Sequence, residues 1–368
     1  MEQDHLGLGS DQREPVMSQS SVNVSAEHAR AIIARVLESV GLEPPSALQV
    51  AGLMVQADLN GADGHGIFRL PQYVRRIRAG GINTTPSIRV VHDRGATALI
   101  DGDNAMGHLV VSQAAELAIQ KAQANGIGWV GCRMSNHAGP ASLYAQRVAD
   151  AGLIGIYFAV GSANHMAPWG GIDLLLSTNP IAIAVPAGKN PAVVLDMATT
   201  VAAYGKVKIK AQKGEQMPIG WMIDKAGRPL TDPKKSSEGL LLPIGDYKGY
   251  GLSLMIGLLA GTLNHAAMGS SVVDFNRDDT TTTNTGQAIA AIDISAFGQK
   301  DEFLAAVDGL IDELRQSETL PGVDRVRIPG EGSTTTRMKR QNEGIPFSVE
   351  LLDALDRVAQ DCGVQPLI

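Results

Sequence analysis

The sequence predicts an α/β fold built as two lobes. The chain has 368 residues, more than one core of ordinary size holds. Its 44% hydrophobic and 19% charged residues place it among globular rather than disordered chains. Residues 109–160 alternate helix, strand, helix, strand, the mark of a layered α/β structure.

Residues 1–20 are polar, lack a signal-peptide core and are expected to be a disordered leader, with Met17 an alternative start. Ser25 is a candidate N-cap. Ala29, Ile32, Ile33, Val36, Leu37 and Val40 then recur at helical spacing until Gly41 stops the helix. Further helices are expected over 46–60 and 71–79, then strands over 88–91 and 98–101. Next come a helix (109–125), a strand (128–133), a helix (141–151) and a strand (153–160). A loop at 161–171 precedes strands at 181–185 and 192–197. Residues 199–212 read as helix and 217–233 as a turn-rich excursion. Residues 252–263 are apolar but too short to span a membrane, so they read as a buried helix. The polar loop 274–287 is longer than most connections and is expected to be functional or mobile. Helices over 301–317 and 346–362 complete the chain.

The formal charge of −7 and the shortness of the basic runs exclude a nucleic-acid binder. Arg75, Arg76 and Arg78 read as a solvated helix face. The run 206–213, with four lysines, faces either an anionic ligand or water. Two distant cysteines, Cys132 and Cys362, cannot build a disulfide framework or a four-thiolate zinc site, which fits a reducing cytoplasm. The histidines lack metal-ligand spacing, so no metal is expected.

No Gly-x-Gly-x-x-Gly joins a strand to a helix, and no P-loop is present. Chemistry centres instead on two histidines. His65 lies between Gly64 and Gly66, which give the imidazole room. An imidazole titrating near neutrality can exchange a proton with a carbonyl or imine. Arg69, four residues on, suits a carboxylate clamp, and Tyr73 follows at the same spacing. His65, Arg69 and Tyr73 therefore line one helical stripe, or the segment is a capped helix with a surface Arg and a packed Tyr. His137 lies in a strand-to-helix turn, where amides favour a phosphate, or where it simply opens a helix.

Several segments in order resemble the non-Rossmann malate/L-lactate dehydrogenase family, across about 25–358. They are the run 61–73, Ser-Asn-His at 135–137, Ser-Thr-Asn-Pro at 177–180, Leu-Asp-Met-Ala-Thr-Thr at 195–200 and Tyr-Gly-Lys at 204–206. Gly220-Trp221, Thr-Asp-Pro at 231–233, Asp-Tyr-Lys-Gly-Tyr-Gly at 246–251 and Pro-Gly-Glu at 329–331 continue the series. The resemblance implies a fold with an NAD(P)-binding α/β domain (122–299). A helical, mixed domain from 21–121 and 300–368 would bind substrate and dimerise. It implies NADH or NADPH as cofactor, a small carboxylate substrate, a homodimer and no membrane partner. His65, His137 and Lys206 become the catalytic candidates; Arg69, Tyr73 and Thr178 the substrate contacts. His137, Ala138, Gly139, Pro140, Ala141, Ser162, Asn179, Leu195, Asp196, Met197, Tyr247, Lys248, Gly330 and Glu331 would lie along the cofactor.

Two departures bear on the substrate. Many relatives have Ser where this chain has Gly64, and the cyclic imino-acid reductases have an acidic residue where it has Lys206. A lysine there is expected to lower the His65 pKa. This puts 2-hydroxy-acid chemistry ahead of reduction of piperideine- or pyrroline-2-carboxylate. An inactive cofactor-binding sensor is the alternative of another class.

Overall fold

The computed structural model describes residues 21–367, so the leader expected at 1–20 lies outside the described residues. Strand β1 (Ser21–Val24) leads into α1 (Ala26–Ser39), capped by the Ser25 hydroxyl, which accepts the His28 amide at 3.2 Å. Helix α2 (Pro44–Leu59) packs on α1. A 3₁₀ turn at Ile67–Arg69 feeds α3 (Leu70–Arg78). Then follow β2 (Arg89–Arg94), β3 (Thr97–Asp101), α4 (Gly107–Asn125), β4 (Ile127–Ser135), α5 (Ser142–Asp150) and β5 (Ile154–Ala159). The expected loop after β5 contains a small ribbon, β6 (Asn164–Met166) with β7 (Leu176–Ser177). Strands β8 (Ile181–Val185) and β9 (Val193–Met197) precede α6 (Tyr204–Lys213). The excursion beyond α6 is a ribbon of β10 (Met222–Ile223) and β11 (Leu240–Leu241) over a small core of Val207, Met217, Met222 and Leu241. The chain ends with α7 (Tyr247–Ala260), β12 (Thr285–Ile292), α8 (Lys300–Gln316), α9 (Glu331–Glu343), β13 (Ile345–Ser348) and α10 (Val349–Asp361).

The main sheet has the order β2-β3-β4-β12-β5-β8-β9, and only β3–β4 is parallel. Strand β12 thus separates β4 from β5, pairing Ala290 with both Trp129 and Ile156. Helices α4 and α5 cover one face through an alanine-rich core that includes Ala114, Ala115, Ala118 and Ala145. The layers touch closely because small residues meet: a Cβ on Gly128 would overlap the Ala118 carbonyl. A second core joins α1, α2 and α3 to β13 and α10, so the two ends of the described residues meet. There β1 pairs with β13, Val24 opposite Ile345.

Three expectations are corrected. Arg76 is not solvated; it is fully buried, and its guanidinium donates to the Gly81, Asp278 and Thr281 carbonyls. Helix α7 is not buried all round: Met255 is 52% exposed, and Leu252, Leu258 and Leu259 are also exposed. Its buried residues, Gly249, Ser253, Ile256, Gly257 and Ala260, form one narrow stripe. Residues 199–203 are not helical: the Thr199 amide donates to Thr178, and Thr200 bridges to Pro243. The apolar residues of α4 from Val110 to Ala122 belong to the sheet core.

Candidate active site

His65 lies in the turn between α2 and the 3₁₀ segment. Asp58, in the last turn of α2, is fully buried beneath it. Its Oδ2 accepts the Ile67 amide at 2.8 Å, while Oδ1 has no partner. Burial pushes the Asp58 pKa up to about 8, so the carboxyl is protonated at neutral pH. Gly66 lets the turn pass this close, since a Cβ there would overlap the Asp58 carboxyl. From α9, Arg340 donates to the Asp58 carbonyl and to both Asp63 carboxylate oxygens.

The two central histidines meet. His65 Nδ1 and His137 Nε2 are 3.3 Å apart. The Tyr73 hydroxyl is 2.6 Å from His137 Nδ1, and the Gly139 amide points at the same nitrogen from 3.4 Å. An amide only donates, so this network assigns Nδ1 as an acceptor. The Tyr73 hydroxyl then donates to His137 Nδ1, and His137 Nε2–H donates to His65 Nδ1. The His65 proton is left on Nε2, the terminal donor of the run. Burial first, then Arg69, lowers His65 to about 4. Burial holds His137 well below its ordinary value, with Arg69, His65 and His108 adding to the effect. Both rings are neutral at pH 7.

Arg69 Nε donates to the Gly64 carbonyl at 2.8 Å, and Nη1 to Asn276 Oδ1 at 3.2 Å. Its Nη2 has no partner among the described residues. Phe275 stacks on His137 with centroids 5.2 Å apart and carries the Arg69 guanidinium 5.8 Å from its ring. His65, Arg69 and Tyr73 therefore converge as expected, though not along one α-helical stripe: a turn and a 3₁₀ segment precede α3.

Lys206 stands apart, exposed in the first turn of α6. Burial and Arg69, not this lysine, depress His65. Thr178 lies beside Thr199, whose amide and hydroxyl donate to its carbonyl. Three of the segments expected along a cofactor meet at one edge of the sheet. The Val194 amide donates to the Pro329 carbonyl, and Asp196 accepts the Ser142 amide at 2.9 Å. This gathers Ala138, Gly139, Pro140 and Ala141 near Leu195, Asp196 and Met197 and near Gly330. The Glu331 carboxylate is taken up by Arg315, Arg325 and the Ile328 amide. Asn179 is a buried strut: it accepts the Gly161 amide and donates to the Ser253 carbonyl. The Ser162 carbonyl accepts the Phe275 amide at 3.0 Å. Tyr247 and Lys248 open α7, with Tyr247 well exposed.

Sequence reasoning missed His108, Phe275, Asn276 and Asp58. His108 is fully buried, edge-on to Tyr73 at 5.6 Å, with neither ring nitrogen partnered. Only the unusual length of the loop 274–287 pointed to Phe275 and Asn276. A cavity of about 550 Å³ lined by residues including Glu43, Thr84, Gln113 and Arg147 has none of these groups in its lining.

An imidazole beside a guanidinium with a free edge can, with that guanidinium, hold a carboxylate and, once the ring has taken up a proton, protonate the neighbouring atom. Comparison with known proteins gives this arrangement its family. Residues 24–356 match the family model described as malate/L-lactate dehydrogenase, and the chain belongs to that family. The malate dehydrogenase of Pyrococcus abyssi is 36% identical over 359 residues, covering 95% of this chain and 98% of that protein. A ureidoglycolate dehydrogenase (NAD(+)) of Escherichia coli K12 is 34% identical over 324 residues, 88% of this chain and 92% of that one. The structure of a sulfolactate dehydrogenase from Methanocaldococcus jannaschii superposes with a TM-score of 0.87 at 37% identity, over 94% of this chain and 98% of that one. That of a delta1-piperideine-2-carboxylate reductase from Pseudomonas syringae superposes at 0.81 and 28% identity, over 92% and 100%. The relatives' names are those of hydroxy-acid dehydrogenases, with a cyclic imino-acid reductase among the structural neighbours.

Proposed function

We propose that the chain is a nicotinamide-dependent oxidoreductase interconverting a small 2-oxo carboxylate and its 2-hydroxy acid, malate- or lactate-like. The observation that carries this reading is the run Tyr73–His137–His65 ending beside Arg69. Bound NADH or NADPH supplies or takes the hydride at C2. Reduction then needs one proton at the carbonyl oxygen. Arg69 Nη2 pairs with the substrate carboxylate. That anion offsets the cation that depresses His65 and raises the ring's affinity for a proton. Anion and proton are thus taken up together, and His65 delivers the proton to the oxygen. His137 holds the His65 ring, shares its proton and lies along the nicotinamide.

The cofactor segments suit a dinucleotide in kind. Leu195 and Tyr247 expose apolar surface. Gly139, at φ 81°, keeps the turn before α5 free of a side chain. We assign 122–299 to the cofactor, and 21–121 with 300–368 to the substrate and to homodimer contacts. The exposed apolar side of α7 supports a homodimer. Two free cysteines and the lack, among the described residues, of any helix long and apolar enough to cross a membrane support a cytoplasmic site. Reduction of a cyclic 2-imino acid is the second reading, favoured by the likeness to the piperideine reductase.

Absorbance of the reduced nicotinamide, followed with oxaloacetate, pyruvate and piperideine-2-carboxylate and with each cofactor, tests these readings. Turnover of a 2-oxo acid is expected. His65→Ala should lower kcat by roughly 10²- to 10⁴-fold, the scale of acid–base catalysis. Near-normal turnover in that variant overturns the assignment. Cofactor binding without turnover of any substrate marks a sensor.

A further inference from the structure

The cavity of about 550 Å³ has no part in the chemistry above. It lies between the start of α2, the segment before β2, and helices α4 and α5. The segment 84–86 is pinned from both sides. Asn83 Nδ2 donates to Asp103 Oδ2 at 3.1 Å, and the Ser87 amide donates to the same oxygen at 2.9 Å. That wall is therefore preformed, which lowers the ordering cost of binding.

Six neutral polar side chains line the space: Ser46 and Gln49 of α2, Thr84 and Thr85, and Ser112 and Gln113 of α4. None of them makes a side-chain hydrogen bond among the described residues. Water serves those that are exposed, but Ser112 is 3% exposed and its Oγ is buried without a partner. An unpaired buried hydroxyl is costly, so it marks a place where a ligand group gains by pairing with it.

The charges select the ligand. Glu116 and Arg147 line the same cavity but satisfy each other at 2.6 Å. Glu43, the N-cap residue of α2, is left as a free carboxylate, because its side chain caps no amide and has no partner among the described residues. An anion would meet that carboxylate. A cation only donates hydrogen bonds, whereas hydroxyls and carboxamides both donate and accept. Ile88 and Leu109 add an apolar wall for carbon–hydrogen faces. A neutral molecule with several hydroxyls matches all three features.

We propose that this cavity is a binding site for a neutral polyol of monosaccharide size, separate from the His65 site, with Ser112 and Gln113 among its hydrogen-bonding groups. Its volume lies within the range of small-molecule sites.

Ligand-observed NMR titrations with glucose, myo-inositol and xylitol test the proposal, with glucose 6-phosphate and spermidine as charged probes and with NADH present or absent. At least one neutral probe should bind, and NADH should not displace it. Ser112→Ala removes a hydroxyl that has no partner, so the fold is safe, and the thermal midpoint checks this. Both Ser112→Ala and Gln113→Ala should weaken binding roughly 3- to 10-fold, the scale of one hydrogen bond. The proposal is overturned if no neutral probe binds, if NADH displaces the bound probe, or if neither variant changes the affinity. Tighter binding of glucose 6-phosphate or spermidine than of every neutral probe overturns the neutral class.

Discussion

The turn that presents His65 rests on a carboxyl group that would rather be neutral. Asp58 is fully buried, and one of its oxygens is unpartnered. Its folded pKa is about 8 against an ordinary 3.8. The sign follows. The unfolded carboxyl ionises near 3.8, so the stability this group supports is intact below that pH and lost as pH rises towards 8. Asn keeps an acceptor for the Ile67 amide and cannot ionise. Asp58→Asn should therefore be increasingly stabilising from pH 5 to pH 8, with a thermal midpoint raised by roughly 2 °C or more at pH 8. A midpoint difference that does not change with pH would remove Asp58 from this role. At this scale the sequence was legible where chemistry is local. His65, Arg69 and Tyr73 sit within nine residues, and their spacing with the flanking glycines marked them. Arg76 was misread because its partners, the Asp278 and Thr281 carbonyls, lie about two hundred residues away. His108 gave no local signal, since what distinguishes it is the absence of any partner in a buried place.

At the scale of elements, legibility followed side-chain periodicity. The alternating layers from α4 to β5 were read correctly because each carries a regular apolar pattern. Strand β12 was missed although it lies at the middle of the sheet. It is buried almost throughout, and its sequence Thr-Gly-Gln-Ala-Ile-Ala-Ala-Ile, half of it Gly and Ala, shows no apolar–polar alternation. Helix α9 was missed for the opposite reason. None of its residues is buried, and ion pairs fix it at each end: Glu331 with Arg315 and Arg325, Arg340 with Asp63. Helix α7 was recognised but its surroundings were not. An unbroken apolar sequence does not say which side another element covers. If that side is the homodimer contact, Met255→Glu should leave the monomer folded and halve the mass seen by light scattering. A dimer that survives the substitution puts the contact elsewhere, and a monomeric wild type refutes the homodimer.

Across the whole molecule, four buried or half-buried histidines are held neutral by burial. His65 and His165 are lowered to about 4, His108 to about 3 and His137 well below its ordinary value. A histidine whose folded pKa is depressed loses stability as pH falls from its unfolded value near 6.5, because the unfolded chain takes the proton first. Asp58 and, by burial, Asp196 act the other way, but they are two groups against four. Carboxylates held below their usual range, such as Asp308 and Glu331, matter only at more acid pH. The window between pH 6.5 and 5 therefore belongs to the histidines. Unfolding at pH 5 should take up roughly three protons, and the thermal midpoint should drop steeply from pH 7 to pH 5. Three of the four, His65, His108 and His137, come from the α2–α3 turn, the start of α4 and the β4–α5 turn. They sit where the terminal helices meet the sheet layer, so acid should open the site as it unfolds the chain. His108→Leu keeps an apolar body against Tyr73, removes two unpartnered nitrogens and should lower the proton uptake by about one. Calorimetric midpoints of both proteins between pH 5 and 7 decide the matter: a flat wild-type profile, or one His108→Leu leaves unchanged, means these rings are not what acid attacks.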